Sequence, residues 1–207
     1  MRRSVPLTAV LATAALLTAG CGGSAAKVAG PPPTTTTASG FAGIAVLPPR
    51  PAAPIALHDA GGHAVTLAAQ RGRYVLVTFL YTHCPDVCPL IASNLNAALR
   101  ALGPDRSRVR VLAVSVDPVG DTAAAVRAYT KRMHLEPQFR YLIGTRSELR
   151  PVWAAWHVLS VQRKPGLVDH IAYTLLVDPV GKDRVLYDSQ VHALQVIHDL
   201  HRLMRSA

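Results

Sequence analysis

A three-layer α/β fold, with helices on both faces of a central sheet, is what this sequence predicts. Three observations carry the prediction. Residues 74–81, 109–116 and 173–177 are nearly continuous β-branched, aliphatic and aromatic runs, as strands buried on both faces should be. Helical patterns at 89–102, 122–133 and 147–156 fall between them. Strands alternating with helices assemble a sheet covered on both sides. The third observation is size: 207 residues give one domain plus tails, large enough to bury a core without disulfide staples. Three cysteines could not supply a disulfide framework in any case.

In chain order, residues 1–20 read as an export signal. Arg2 and Arg3 supply its positive end, and residues 5–19 its short apolar stretch. The stretch ends in Leu17-Thr18-Ala19-Gly20-Cys21, which resembles the lipobox of bacterial lipoproteins, with the usual leucine one place further out at Leu17. Cys21 is therefore the expected lipidation site, and two acyl chains there would anchor the protein stably to the cell membrane, facing the extracytoplasmic side. The alternatives are a simple cleaved signal with an incidental cysteine, or an uncleaved anchor. No run of about 20 apolar residues follows, which argues against an internal membrane-spanning helix.

Residues 21–54 are rich in Pro, Thr, Ala and Gly, including Pro31-Pro32-Pro33 and Thr34 to Thr37. So few large apolar residues cannot offset the entropy of ordering, and a disordered tether is expected. The folded domain then covers 55–207. It opens with a small hairpin, 55–57 and 64–67 around Gly61-Gly62. Asp121-Thr122 and the segment 145–147 offer caps to the second and third helices. Asp178-Pro179-Val180-Gly181 is a turn, so 184–187 pairs back antiparallel to the third core strand. Residues 192–204 form a terminal amphipathic helix.

The formal charge is +10, and loss of residues 1–20 leaves 20 basic and 12 acidic residues, a net +8. The cations are scattered without a basic stripe or interleaved aromatics, so no nucleic-acid partner is expected. Anionic lipid head groups or acidic protein faces suit them better.

Directly after the first core strand comes Tyr81-Thr82-His83-Cys84-Pro85-Asp86-Val87-Cys88-Pro89. The carboxyl end of a strand in an α/β sheet is where ligands and chemistry collect. Pro89 suits the first position of a helix and would hold Cys88 outside it. The helix dipole favours thiolate on such a loop, a shared requirement of thiol–disulfide exchange and metal binding. Three residues between the cysteines, rather than the two usual in redox motifs, let both sulfurs reach one ion. Two thiolates leave a metal site short of ligands, so a third must come from elsewhere. An inert disulfide is the plain alternative, but so short a loop would stabilise by about 2 kcal/mol or less.

Nine histidines are present. His58 and His63 belong to the leading hairpin. His134, His157, His192, His198 and His201 lie in helices or connections. His83 adjoins Cys84 but should point to the opposite side. His170, in Val168-Asp169-His170 just before the third core strand, occupies a loop that should face the cysteines, with Asp169 as a supporting neighbour. A soft Cys₂His set suits Cu(I) and can also hold Cu(II).

Three stretches together carry a family resemblance. They are Phe79 to Pro89 through Thr82-His83-Cys84, then Val114-Ser115-Val116-Asp117-Pro118 with Asp121-Thr122, then Val168-Asp169-His170 leading to Leu176-Val177-Asp178-Pro179-Val180-Gly181. The chain from 55 to 204 resembles the Sco/SenC family, thioredoxin-like copper proteins that assist assembly of cytochrome c oxidase. The resemblance implies a thioredoxin-like sandwich and copper held by Cys84, Cys88 and His170. It also implies delivery to the binuclear copper site of oxidase subunit two. An alternative implied by the same pair is thiol–disulfide exchange, with Cys84 and Cys88 as the redox-active pair, a disulfide in their oxidised form, and a reductant partner to restore them. A copper or redox sensor is a third reading. Thioredoxins carry a proline before the third core strand where this chain has Ala172-Tyr173, and the peroxiredoxin pattern Pro-x-x-x-Thr-x-x-Cys is absent.

Overall fold

Residues 40–164 and 167–206 are described by the computed structural model. The expected export signal, Cys21 and the tether as far as residue 39 lie outside the described residues. The elements are β1 (Ile44–Pro51), β2 (Ala56–Asp59), β3 (Ala64–Thr66), β4 (Tyr74–Leu80), α1 (Val87–Ala101), β5 (Val109–Ser115) and α2 (Ala123–Arg132). Then follow β6 (Phe139–Ile143), α3 (Arg146–Ala155), β7 (Ser160–Lys164), β8 (Leu167–His170), β9 (Thr174–Val177), β10 (Lys182–Tyr187) and α4 (Ala193–Arg205).

Eight strands form one mixed sheet in the order β1-β10-β9-β4-β5-β6-β2-β3, and β7 and β8 make a separate antiparallel pair. Every residue of β4 is buried. It runs parallel to β5, which runs parallel to β6, while β9 lies antiparallel on its other side. This is the expected α/β/α sandwich with its leading hairpin, β2 and β3 pairing antiparallel. On α1 the fully buried Ile91, Leu95 and Leu99 recur every four residues, so one face meets the core. Helix α4 buries Val196, Leu200 and Leu203 and packs against α1. Thr122 caps α2 by accepting the Ala125 N–H, and Thr145 with Glu148 forms a capping box on α3. No helix among the described residues is long and apolar enough to cross a membrane.

Four expectations need correction. Order begins well before residue 55: Ile44–Pro51, assigned above to the tether, is the edge strand β1, antiparallel to β10. Its prolines, which read as strand breakers, are tolerated at an edge because no further strand needs their missing N–H groups. Before it, Ala42 and Gly43 donate their N–H groups to the buried Asp199 carboxylate at 2.7 and 3.0 Å. Pro89 is the third residue of α1, not the first, and Cys88 lies inside the helix. The first turn tolerates both, since its N–H groups have no intrahelical acceptor. Strand β6 and the hairpin β7–β8 were not foreseen. His170 consequently ends a strand rather than occupying a loop.

Candidate metal centre

The site stands at the carboxyl end of β4, where the chain turns through Tyr81 to Cys84 and enters α1. Cys84 N–H donates to the Tyr81 carbonyl at 3.3 Å, closing that turn. Cys84 is half-buried and Cys88 fully buried, and both are free thiols. The β7–β8 hairpin carries His170 over the start of α1. Its Nε2 comes to 3.8 Å from the Cys88 sulfur, across 82 residues of sequence. His170 also meets the edge of the Tyr81 ring, centroids 5.9 Å apart and nearly perpendicular.

Electrostatics separate the two thiols. The Cys84 pKa is lowered to about 6, first by the hydrogen bond from the Cys88 thiol and then by N–H groups of Asp86 and Cys88 and the Tyr81 hydroxyl, against the opposing effect of burial. Those two N–H groups belong to the start of α1, so the helix-terminus effect expected from the sequence acts on Cys84. Cys88 is pushed strongly upward, because it donates to Cys84 and is buried. Tyr81 rises to about 12 through burial and the neighbouring Cys84 charge. At neutral pH the pair is one thiolate and one thiol sharing a proton.

Burial holds the His170 pKa below its ordinary value, so the ring is neutral at pH 7. Its Nδ1 lies 3.2 Å from the Ile171 carbonyl oxygen. A carbonyl only accepts, so Nδ1 carries the proton and the Nε2 lone pair faces Cys88. This is the tautomer a metal ligand needs, oriented by a backbone oxygen behind the ring. Asp169, expected to support His170, pairs with Arg163 across the hairpin and reaches His170 only through its charge. His83 is exposed, and its Nδ1 lies 3.0 Å from the Thr82 hydroxyl. His58 and His63 are exposed in the leading hairpin.

Among the described residues, no three His, Cys, Asp or Glu side chains already form a closed metal-binding group. The donors nonetheless fit a soft ion: a thiolate, a thiol that loses its proton on binding, and a neutral imidazole with its lone pair inward. Closure requires Cys84 to exchange its hydrogen bonds with Cys88 and Tyr81 for a bond to the ion.

Asp121 is a supporting residue whose role the sequence did not reveal. Its buried carboxylate accepts from Thr82 N–H (2.8 Å), Thr82 Oγ1 (2.7 Å), Ser115 Oγ (2.6 Å) and Tyr141 OH (3.1 Å). It therefore ties the start of the cysteine turn to β5 and β6. Burial raises its pKa despite these four donors. In sequence it reads as a polar neighbour of the Thr122 cap and as part of the second stretch that carries the family resemblance, neither of which indicates this role.

Known proteins share the fold. The copper-bound ScoI structure from Bradyrhizobium japonicum is 32% identical, with a TM-score of 0.65, covering 74% of this chain and 99% of that one. The apo Sco1 solution structure from Thermus thermophilus is 34% identical, with a TM-score of 0.68, covering 79% and 96%. The mitochondrial protein SCO2 homolog of Bos taurus is 30% identical over 155 residues, 72% of this chain and 58% of that protein. The matched region is under two thirds of the length of the curated relatives. A family model described as SCO1/SenC matches residues 48–205, all of the described sheet except the first residues of β1, and the chain belongs to that family.

Proposed function

We propose that this protein binds one copper ion through Cys84, Cys88 and His170 and delivers it to the binuclear copper site of cytochrome c oxidase subunit two. In this reading a lipid on Cys21 holds it to the extracytoplasmic face of the cell membrane. The supporting observation is the approach of His170 Nε2 to Cys88 at 3.8 Å with its lone pair inward. Two sulfurs and one imidazole, with Cys84 in a turn and His170 at a strand end, can be displaced one at a time, as ligand exchange with a recipient requires. The test is copper transfer from the loaded protein to apo subunit two, with Cys84 and Cys88 replaced in turn. Transfer that survives loss of either cysteine would sink the reading. Lipidation is tested separately: Cys21→Ser should release the protein from the membrane fraction.

One observation favours a second reading, thiol–disulfide exchange. Cys84 has the lowered pKa of an attacking thiol and Cys88 the raised pKa of a resolving one. Cys84 thiolate would attack a partner disulfide, and Cys88 would then displace the partner. The partner leaves as a dithiol and the two electrons come from this pair, now a disulfide. Reduction of oxidised subunit two by the metal-free dithiol, undiminished in His170→Ala, would favour exchange over delivery.

A further inference from the structure

Arg73, Arg110 and Arg140 gather at the end of the sheet opposite the cysteine turn. The register places them there. Val75 pairs with Arg110, and Leu112 with Arg140, so strand alternation brings all three arginines to one face. They stand at the amino-terminal ends of three parallel strands, whereas Cys84 follows the carboxyl end of β4. The Arg110 guanidinium is held below its ordinary pKa by burial and by the charges of Arg73 and Arg140. It donates to the carbonyls of Val109 (2.8 Å) and Ser107 (3.4 Å). Arg140 meets Asp59 at 3.0 Å. Among the described residues no carboxylate pairs with Arg73 or Arg110. Cations crowded in this way repel one another until an anion joins them.

The surroundings extend the patch. Arg71 and Arg108 are exposed beside it. The Gly72 N–H donates to the Pro179 carbonyl at 2.9 Å, which seats the β9–β10 turn alongside. At the tip of that turn Val180 is 68% exposed. An apolar tip among guanidinium groups suits a phospholipid interface, where phosphates take bidentate hydrogen bonds and the apolar side chain enters between head groups.

We infer that this arginine-lined end of the domain docks on an anionic phospholipid surface, turning the cysteine turn and His170 away from the membrane. The inference deepens the tethered reading above and rests on it for the proximity of membrane. An anchored domain meets head groups at high effective concentration, which an acidic soluble protein would not match. Reach is sufficient. The 21 residues between Cys21 and Gly43 span up to about 70 Å at full extension, and β4 with its seven residues is only about 23 Å long.

The test uses the chain from Gly40 onward, which carries every strand, helix and core residue found among the described residues and lacks Cys21. It is sedimented with vesicles of phosphatidylcholine alone and of phosphatidylcholine mixed with phosphatidylglycerol. Salt-sensitive binding to the mixed vesicles only is expected. Replacing Arg73→Gln with Arg110→Gln should weaken it about tenfold or more. The Arg73→Lys and Arg110→Lys pair should largely retain it. Arg146→Gln with Arg150→Gln, the same charge change at exposed positions on α3, should leave it nearly unchanged. No binding to the mixed vesicles, or equal loss in the α3 pair, overturns the inference. Failure here leaves Cys21 lipidation untouched, since that is read by fractionation of the full chain.

Discussion

His170 Nε2 lies 3.8 Å from the Cys88 sulfur, and its other ring nitrogen is committed to the Ile171 carbonyl. The contact joins the first turn of α1 to the end of β8. A hairpin outside the main sheet therefore decides whether the two cysteines have a third ligand. Its β7 strand is held at Ser160, whose hydroxyl donates to the Val116 carbonyl at 2.8 Å.

The asymmetry of the thiols predicts a pH profile for the metal-free, reduced protein. Alkylation follows the thiolate fraction, and the Cys84 pKa is about 6. Its reaction with iodoacetamide should rise through pH 6 and level off before pH 8, where an ordinary thiol is still climbing. Cys88, fully buried with its pKa raised, should remain unmodified throughout. Mass spectrometry of the labelled peptide across pH checks both. A Cys84 rate still rising steeply from pH 8 to 9 would contradict the assigned proton sharing.

Asp121→Ala should uncouple the cysteine turn from the sheet. It leaves Thr82, Ser115 and Tyr141 without their common acceptor in a buried place, a loss of about 2–4 kcal/mol. Urea unfolding measures the stability. Copper affinity should fall as well, because Thr82 positions the turn two residues before Cys84. Full stability in this variant would remove Asp121 from its role as a hub.

The Asp199 carboxylate plays a parallel part at the other edge, holding the Ala42 and Gly43 N–H groups and the Tyr187 hydroxyl. Asp199→Ala should cost about 2–4 kcal/mol and free the chain before β1 for proteolysis. Limited proteolysis should cut first near residues 40–51 in the variant and not in the parent. A variant as resistant as the parent would contradict that anchoring.

Much of this was legible in sequence, for physical reasons that differ by element. Strands β4, β5 and β9 are buried on both faces, so their apolar runs are unbroken and easily read. Cys84 and Cys88 announce themselves by type, spacing and place after β4. His170 does not: its distance from Cys88 in sequence gives no local sign of contact, and it was singled out by its place before the third core strand and by the resemblance of Val168-Asp169-His170 to the family motif. Strand β1 was hidden because Pro48, Pro49 and Pro51 read as tether, and only its edge position makes them compatible with pairing. Strand β6 is short, and the polar residues of β7 lack the apolar alternation of a core strand. The work of Asp121 and Asp199 escaped notice because their donors come from distant elements.

Copper titration of the reduced protein beside His170→Ala tests the central claim most directly. The arrangement of Cys84, Cys88 and His170 predicts one copper per chain for the parent and an affinity weakened by orders of magnitude in the variant, with both thiols and the fold intact. Unchanged affinity in His170→Ala would contradict it.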